Sequence, residues 1–263
     1  MNKKMFFAVL MTMLFCFTTV KADVYSEGLT KLLDSGIVSN IDIADLQEQF
    51  QKSGVNVSEE YLNGKFKTDV AELLASYYRD NMSERDFALL MDYVSNNPDY
   101  AESMQKIAKA QVAANNEMSE IVVAAALMIA LGGKPEAVAP IESSTDYKKA
   151  FDKYAEVIHL NESTESVMIM LKKMFEEQVS DNDAEGRENM NRFLGPMIDY
   201  VKQNMSAIIF NKMVGKVDVG DYETVSAIQK EPFYGGYIKS ADAIIADLPN
   251  FLNALMQKIV AAQ

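Results

Sequence analysis

Apolar residues return at helical spacing along nearly the whole chain, and this restricts the fold more than any other feature. Phe66, Val70, Leu73, Leu74 and Tyr77 follow i, i+4, i+7, i+8, i+11. Tyr100, Met104, Ile107 and Ala108 repeat the pattern, as do Leu194, Met197, Ile198, Val201, Met205, Ile208 and Ile209. Sustained alternation of β-branched residues is missing, so the pattern predicts an all-α fold. Helix starts are marked by Ser83 ahead of Glu84 and Asp86, by Asn97-Pro98, by Thr145-Asp146 and by Ser163-Thr164-Glu165. Ile121 to Leu131 is an unbroken apolar run closed by Gly132-Gly133. It is too short to span a bilayer and predicts a fully buried helix with a glycine C-cap. Gly195-Pro196 should break or kink the helix around it.

The first 22 residues form a predicted secretory signal peptide. Lys3 and Lys4 precede a nearly continuous apolar run from Met5 to Val20, and Val20-Lys21-Ala22 offers small residues for cleavage. Cys16 lies in that run behind the bulky Phe15, which does not suit a lipid-attachment site. It is the one cysteine of the chain. Its removal would leave an exported protein with no thiol chemistry and no disulfide, held together by its core alone. With 49% apolar residues the chain has the material for that core. The net charge of −13 at pH 7 gives no basic face for a nucleic acid.

Gly, Pro and Ser cluster between residues 132 and 145. This predicts a first helical domain over 23–131, a linker over 132–145 and a second helical domain over 146–263. The two halves read as a drifted tandem repeat of helical bundles. In the first, Tyr77-Tyr78-Arg79-Asp80 leads to Asp86-Phe87, an amphipathic helix and Asn97-Pro98-Asp99-Tyr100. In the second, Asn211-Lys212-Met213 leads through Val217-Asp218 to Asp221-Tyr222, another amphipathic helix and Glu231-Pro232-Phe233-Tyr234-Gly235.

An acidic-aromatic helix followed by an X-Pro turn opening the next helix resembles the exported bacterial domain of unknown function 2059. The second copy keeps Pro232 and Gly235, whereas the first has Asn97-Pro98 with Ala101 where the glycine would fall. Phe151 to Leu171 is similar to that family's entry helices. The resemblance implies an α-helical periplasmic or secreted protein and no particular reaction.

Chemistry-bearing constellations are scarce. Past the predicted signal there is no Cys and a single imidazole, His159, so thiol catalysis and multi-histidine zinc sites are ruled out there. His159 is placed in the last turn of a helix, where the dipole suits a positive charge, and its role is expected to be structural. No Gly-x-Ser-x-Gly elbow surrounds a serine. Ser103-Met104-Gln105-Lys106 and Ser180-Asp181-Asn182 imitate two elements of penicillin-recognising enzymes, but the third, approximated by Lys52-Ser53-Gly54, falls first in the chain instead of last. Asp181-Asn182-Asp183-Ala184-Glu185-Gly186 imitates a calcium loop, yet Glu188 stands where an apolar residue belongs and Arg192 where a carboxylate is needed. The adjacent carboxylates Glu59-Glu60 and Glu176-Glu177 diverge on a helix and make no acid/base pair.

Many of the 17 methionines gather in the second half, at Met168, Met170, Met174, Met190, Met197, Met205 and Met213. Flexible thioethers can line an adaptable binding surface, although most of these positions lie on core-facing stripes. Met197 and Met205 are the candidates for ligand or partner contact among them, with core packing the expected role. Phe233, Tyr234 and Tyr237 beside Gly235-Gly236 are further candidates for a ligand wall, with a contact between the two repeats the expected role. The chain is expected to be an exported cell-envelope binding or interaction protein, needing no cofactor, with an envelope protein, peptide or apolar ligand as its partner and no transmembrane segment once cleaved. The competing expectation is a hydrolase of envelope polymers using carboxylates or His159.

Overall fold

The computed structural model describes residues 24–34, 47, 50, 51, 56–176 and 184–261. The signal peptide, Lys52-Ser53-Gly54, Ser180-Asp181-Asn182 and the first three residues of the calcium-loop imitation lie outside the described residues. Those residues contain helices and no strand, so the all-α expectation is correct. In chain order the helices are α1 (Val24–Asp34), α2 (Glu59–Asn63), α3 (Phe66–Asn81), α4 (Glu84–Asn96), α5 (Pro98–Ala130), α6 (Thr145–Val157), α7 (Leu160–Glu176), α8 (Ala184–Met213), α9 (Val219–Ser226), α10 (Tyr234–Ala246) and α11 (Leu248–Ala261), with a 3₁₀ turn at Ala227–Lys230. No described helix is long and apolar enough to cross a membrane.

Most start signals act as the sequence predicts. Ser83 Oγ accepts from the Asp86 N–H, 3.1 Å, and Ser144 Oγ accepts from the Tyr147 N–H, 3.1 Å, each satisfying an orphan donor of the first turn. Pro98 opens α5, where a missing N–H costs nothing, while Asn97 Nδ2 turns back to donate to the Tyr93 carbonyl at the end of α4. One start was misplaced: α7 begins at Leu160, so Ser163 and Thr164 lie inside it. Thr164 Oγ1 bonds the Leu160 carbonyl, and Ser163 Oγ is buried without a partner. Pro196 does not break α8, which runs unbroken for 30 residues.

The principal core draws on helices from both sides of residues 132–145. Tyr78 and Phe87, both fully buried, meet edge to face at 6.0 Å. Phe151 packs edge-on against Phe210 at 5.1 Å and Tyr222 at 5.7 Å. Tyr93 packs edge-on against Phe233 at 5.7 Å, joining α4 to the entry of α10. These rings prefer such tilted contacts because a positive edge meets a negative face. Two glycines sit at close approaches. A Cβ at Gly28 would stand 2.8 Å from the Phe87 ring, and one at Gly236 would stand 3.1 Å from the Asn81 carbonyl oxygen.

The apolar run Ile121 to Leu131 corrects an expectation. Its glycine cap forms as a Schellman motif: Gly132 takes a φ of 78°, Gly133 N–H donates to the Met128 carbonyl and Gly132 N–H to that of Ile129. The run is not buried, however. Only Ala125 is fully covered, and Val123, Leu127, Met128 and Leu131 are exposed, Leu131 by 87%. α8 is the principal neighbour of α5, and one partner helix covers one stripe of a helix that is apolar all round.

Candidate functional site

Beyond the principal core lies a small second cluster. Ala125 of α5 and Tyr200 and Val201 of α8 are its buried members, flanked by Val122, Met168, Met197 and Met205. Met197 therefore belongs to this cluster, and Met205 touches both clusters. An ion pair between Lys202 and Glu165 ties α8 to α7 alongside it.

The segment after Gly133 crosses this cluster as a strap. Val138 packs on the cluster from outside, half-buried, while most of residues 134–144 are exposed. Two asparagines of α8 hold its main chain. Asn204, only 3% exposed, accepts the Val138 N–H at 2.7 Å through Oδ1, and its Nδ2 donates to the Tyr200 carbonyl at 2.7 Å. That second bond fixes the amide so that its oxygen faces the strap. Asn211 accepts the Ile141 N–H at 2.8 Å and donates to the Ala139 carbonyl at 2.9 Å. Seven helical residues span about 10.5 Å. Three strap residues reach that far only when nearly extended. Pro140 and Pro135 favour that state, since each pushes the residue before it into extended backbone. The contacts read N–H, C=O and N–H of the strap at 138, 139 and 141, and skip position 140, where proline has no N–H to offer.

The predicted aromatic contacts sit elsewhere. Phe233 is buried in the principal core, Tyr234 donates to the Val157 carbonyl at 2.8 Å, and Tyr237 is partly buried against the same core. The structure thus does not bring the three aromatics together with Met197. The strap contacts went unforeseen, because Asn204 and Asn211 meet partners 66 to 72 residues away and no local pattern marks them.

Among the described residues, two carboxylates are buried, those of Asp69 and Asp221. Asp221, at the start of α9, accepts from Ser103 Oγ at 2.9 Å, Lys106 Nζ at 3.2 Å and the Asp218 N–H at 3.1 Å. Burial pushes this carboxyl up, but the Asp218, Ser103 and Lys106 donors outweigh it and hold it below its ordinary value. The Ser-x-x-Lys imitation is therefore a helix clamp. Glu102 and Asp221 raise the Lys106 ammonium, so it stays protonated and is no base for Ser103. Asp69, 1% exposed, accepts from Tyr61 Oη at 2.8 Å, Lys65 Nζ at 2.6 Å and Lys258 Nζ at 3.3 Å, tying α3 to α11. Burial again opposes its ionisation, and the Lys65 and Tyr61 bonds, with Lys258, hold its carboxyl low.

His159 is not in the last turn of α6 but past its end, with a φ of 50°. It links α6 to α7 in the left-handed conformation, its Nδ1 lying 3.3 Å from Asp242 of α10. Both side chains are partly exposed. Arg192, which stands where a calcium ligand would be needed, is paired with Glu188 at 2.6 Å.

No family model, curated protein or solved structure matches the chain.

Proposed function

We propose that this chain is an exported, non-catalytic binding protein of the bacterial cell envelope that holds extended peptide segments of its partners on α8. The observation that carries it is Asn204: a nearly fully buried amide, locked by its own helix, whose oxygen faces a main-chain N–H beside a methionine-flanked apolar cluster. Main-chain recognition by side-chain amides next to an apolar platform suits many sequences, and thioethers adapt to different side chains. Export is supported by Lys3 and Lys4, the apolar run to Val20 and the small residues before Asp23. Kinship with domain of unknown function 2059 in two divergent copies is supported by matched burial. The aromatic after the acidic residue, Phe87 in one half and Tyr222 in the other, has no exposed surface in either. Titration calorimetry against a panel of extended apolar peptides tests the binding reading. Saturable binding that Asn204→Ala weakens at least tenfold supports it, and binding indifferent to that substitution overturns it.

One observation favours the second reading, a hydrolase. His159 has its Nδ1 beside Asp242 in the way a carboxylate orients an imidazole base. Under that reading His159→Gln abolishes turnover of an envelope polymer with the melting temperature unchanged. As a joint between α6 and α7, it shifts the melting temperature and no activity.

A further inference from the structure

We infer that the strap of residues 134–144 is a built-in occupant of the α8 seat, which a partner peptide must displace; this rests on the binding reading above. The strap is held by two half-buried side chains, Pro135 and Val138, and three amide hydrogen bonds, with its other residues exposed. A segment with so little burial opens at a small fraction of the global stability. When it opens, the Asn204 oxygen loses its donor and stands beside the cluster as an acceptor for an incoming main-chain N–H. The seat also stays formed in the absence of the strap, because Asn204 is fixed by Tyr200 and not by the strap itself.

The register defines the ligand. It is an extended segment with an aliphatic side chain at the position of Val138, an N–H at that position and again three residues later, and a carbonyl one residue on. Proline is tolerated at the position of Pro140 and excluded at those of Val138 and Ile141. The strap's own sequence, Lys134 to Glu142, meets each requirement, so the same nine residues supplied as a free peptide are the probe.

The test compares the full chain with Val138→Asp, which puts a charge against the apolar cluster and loosens the strap. Two signals are read: cutting by a Glu-specific protease at Glu136 and Glu142, and affinity for the labelled peptide. The variant is expected to be cut at least tenfold faster and to bind the peptide at least tenfold more tightly than the parent. Adding Asn211→Ala, a partly exposed position, is expected to remove most of that gain while circular dichroism stays unchanged. Faster cutting with equal affinity in both chains overturns the strap inference and leaves the binding reading standing. Faster cutting with no peptide bound to either chain overturns both. Unchanged cutting also overturns the inference, since a strap so lightly held cannot tolerate that charge in place. A variant that ignores the peptide but sediments as a dimer assigns the seat to the strap of a second copy and overturns the displacing peptide.

Discussion

α5 is one helix of 33 residues with two kinds of surroundings. Its first half carries an ordinary amphipathic stripe, and that stripe is buried: Tyr100, Met104, Ile107 and Ala110 enter the principal core, and Ser103 and Lys106 grip Asp221. Its second half is far more apolar and far less covered, with Val123, Leu127 and Leu131 in a row at i, i+4, i+8 facing away from the cluster at Ala125. Burial follows the supply of partner surface and not the hydrophobicity of the segment. A helix that is apolar all round needs neighbours all round, and among the described residues in the second half of α5 only Ala125 is buried, against Tyr200 and Val201 of α8.

The contrast can be broken most directly in the first half. Ile107→Ala, at a site with 1% exposure, is expected to cost about 3 kcal/mol in urea unfolding, the lost methylenes plus the cavity left behind. Asp221→Ala should cost about 2 kcal/mol, since it removes the carboxylate that bonds the Asp218 N–H at the α9 start and leaves Ser103 without its acceptor, while Lys106 keeps Glu102. Asn204→Ala in the second cluster should cost only about 1 kcal/mol, because the Val138 N–H it abandons lies near solvent. Leu127→Gln, on the exposed row, should stay within about 0.5 kcal/mol of the parent. A loss of 2 kcal/mol at Leu127 would mean that the row is covered in solution and would end the comparison.

The same contrast has a pH form. Asp69 and Asp221 have folded-state values below their unfolded ones. Their contribution is therefore fully present above the ordinary carboxylate range near pH 4, and is lost as pH falls through and below it. Burial, with hydrogen bonds to Asp69, Asp247 and Tyr147 respectively, raises Tyr61, Tyr77 and Tyr222. Each stabilises the fold below the ordinary phenol value near pH 10, and that stability is lost as pH rises beyond it. Melting temperature against pH should show a plateau between two falling limbs, and Asp221→Asn should shrink the acid limb.

Fold class and most helix starts were legible in the sequence because they are local: a serine oxygen reaches an N–H three residues on, and a stripe repeats every turn. Where competing local signals existed, the reading went astray. Ser163-Thr164-Glu165 looks like a cap, yet α7 already starts at Leu160, because the chain turns at His159 without a glycine to announce it. The strap was invisible for a different reason. Asparagines inside a helix read as indifferent surface residues until the fold lays a distant main chain across them. Met197 and Met205 flank the cluster beneath the strap, whereas Phe233, Tyr234 and Tyr237 pack on the principal core.

Gly28 and Gly236 set different rules for how this sequence can drift over generations. The nearest neighbours of Gly28 are the Phe87 ring and Met91 Cγ, side chains that can be replaced, so an alanine at 28 becomes acceptable once smaller side chains occupy 87 and 91, and these positions should change together among descendants. The neighbour of Gly236 is the carbonyl oxygen of Asn81, which every residue carries. No second substitution removes that oxygen, so an alanine at 236 is accommodated only by a backbone shift of a few tenths of an ångström where α10 crosses the end of α3.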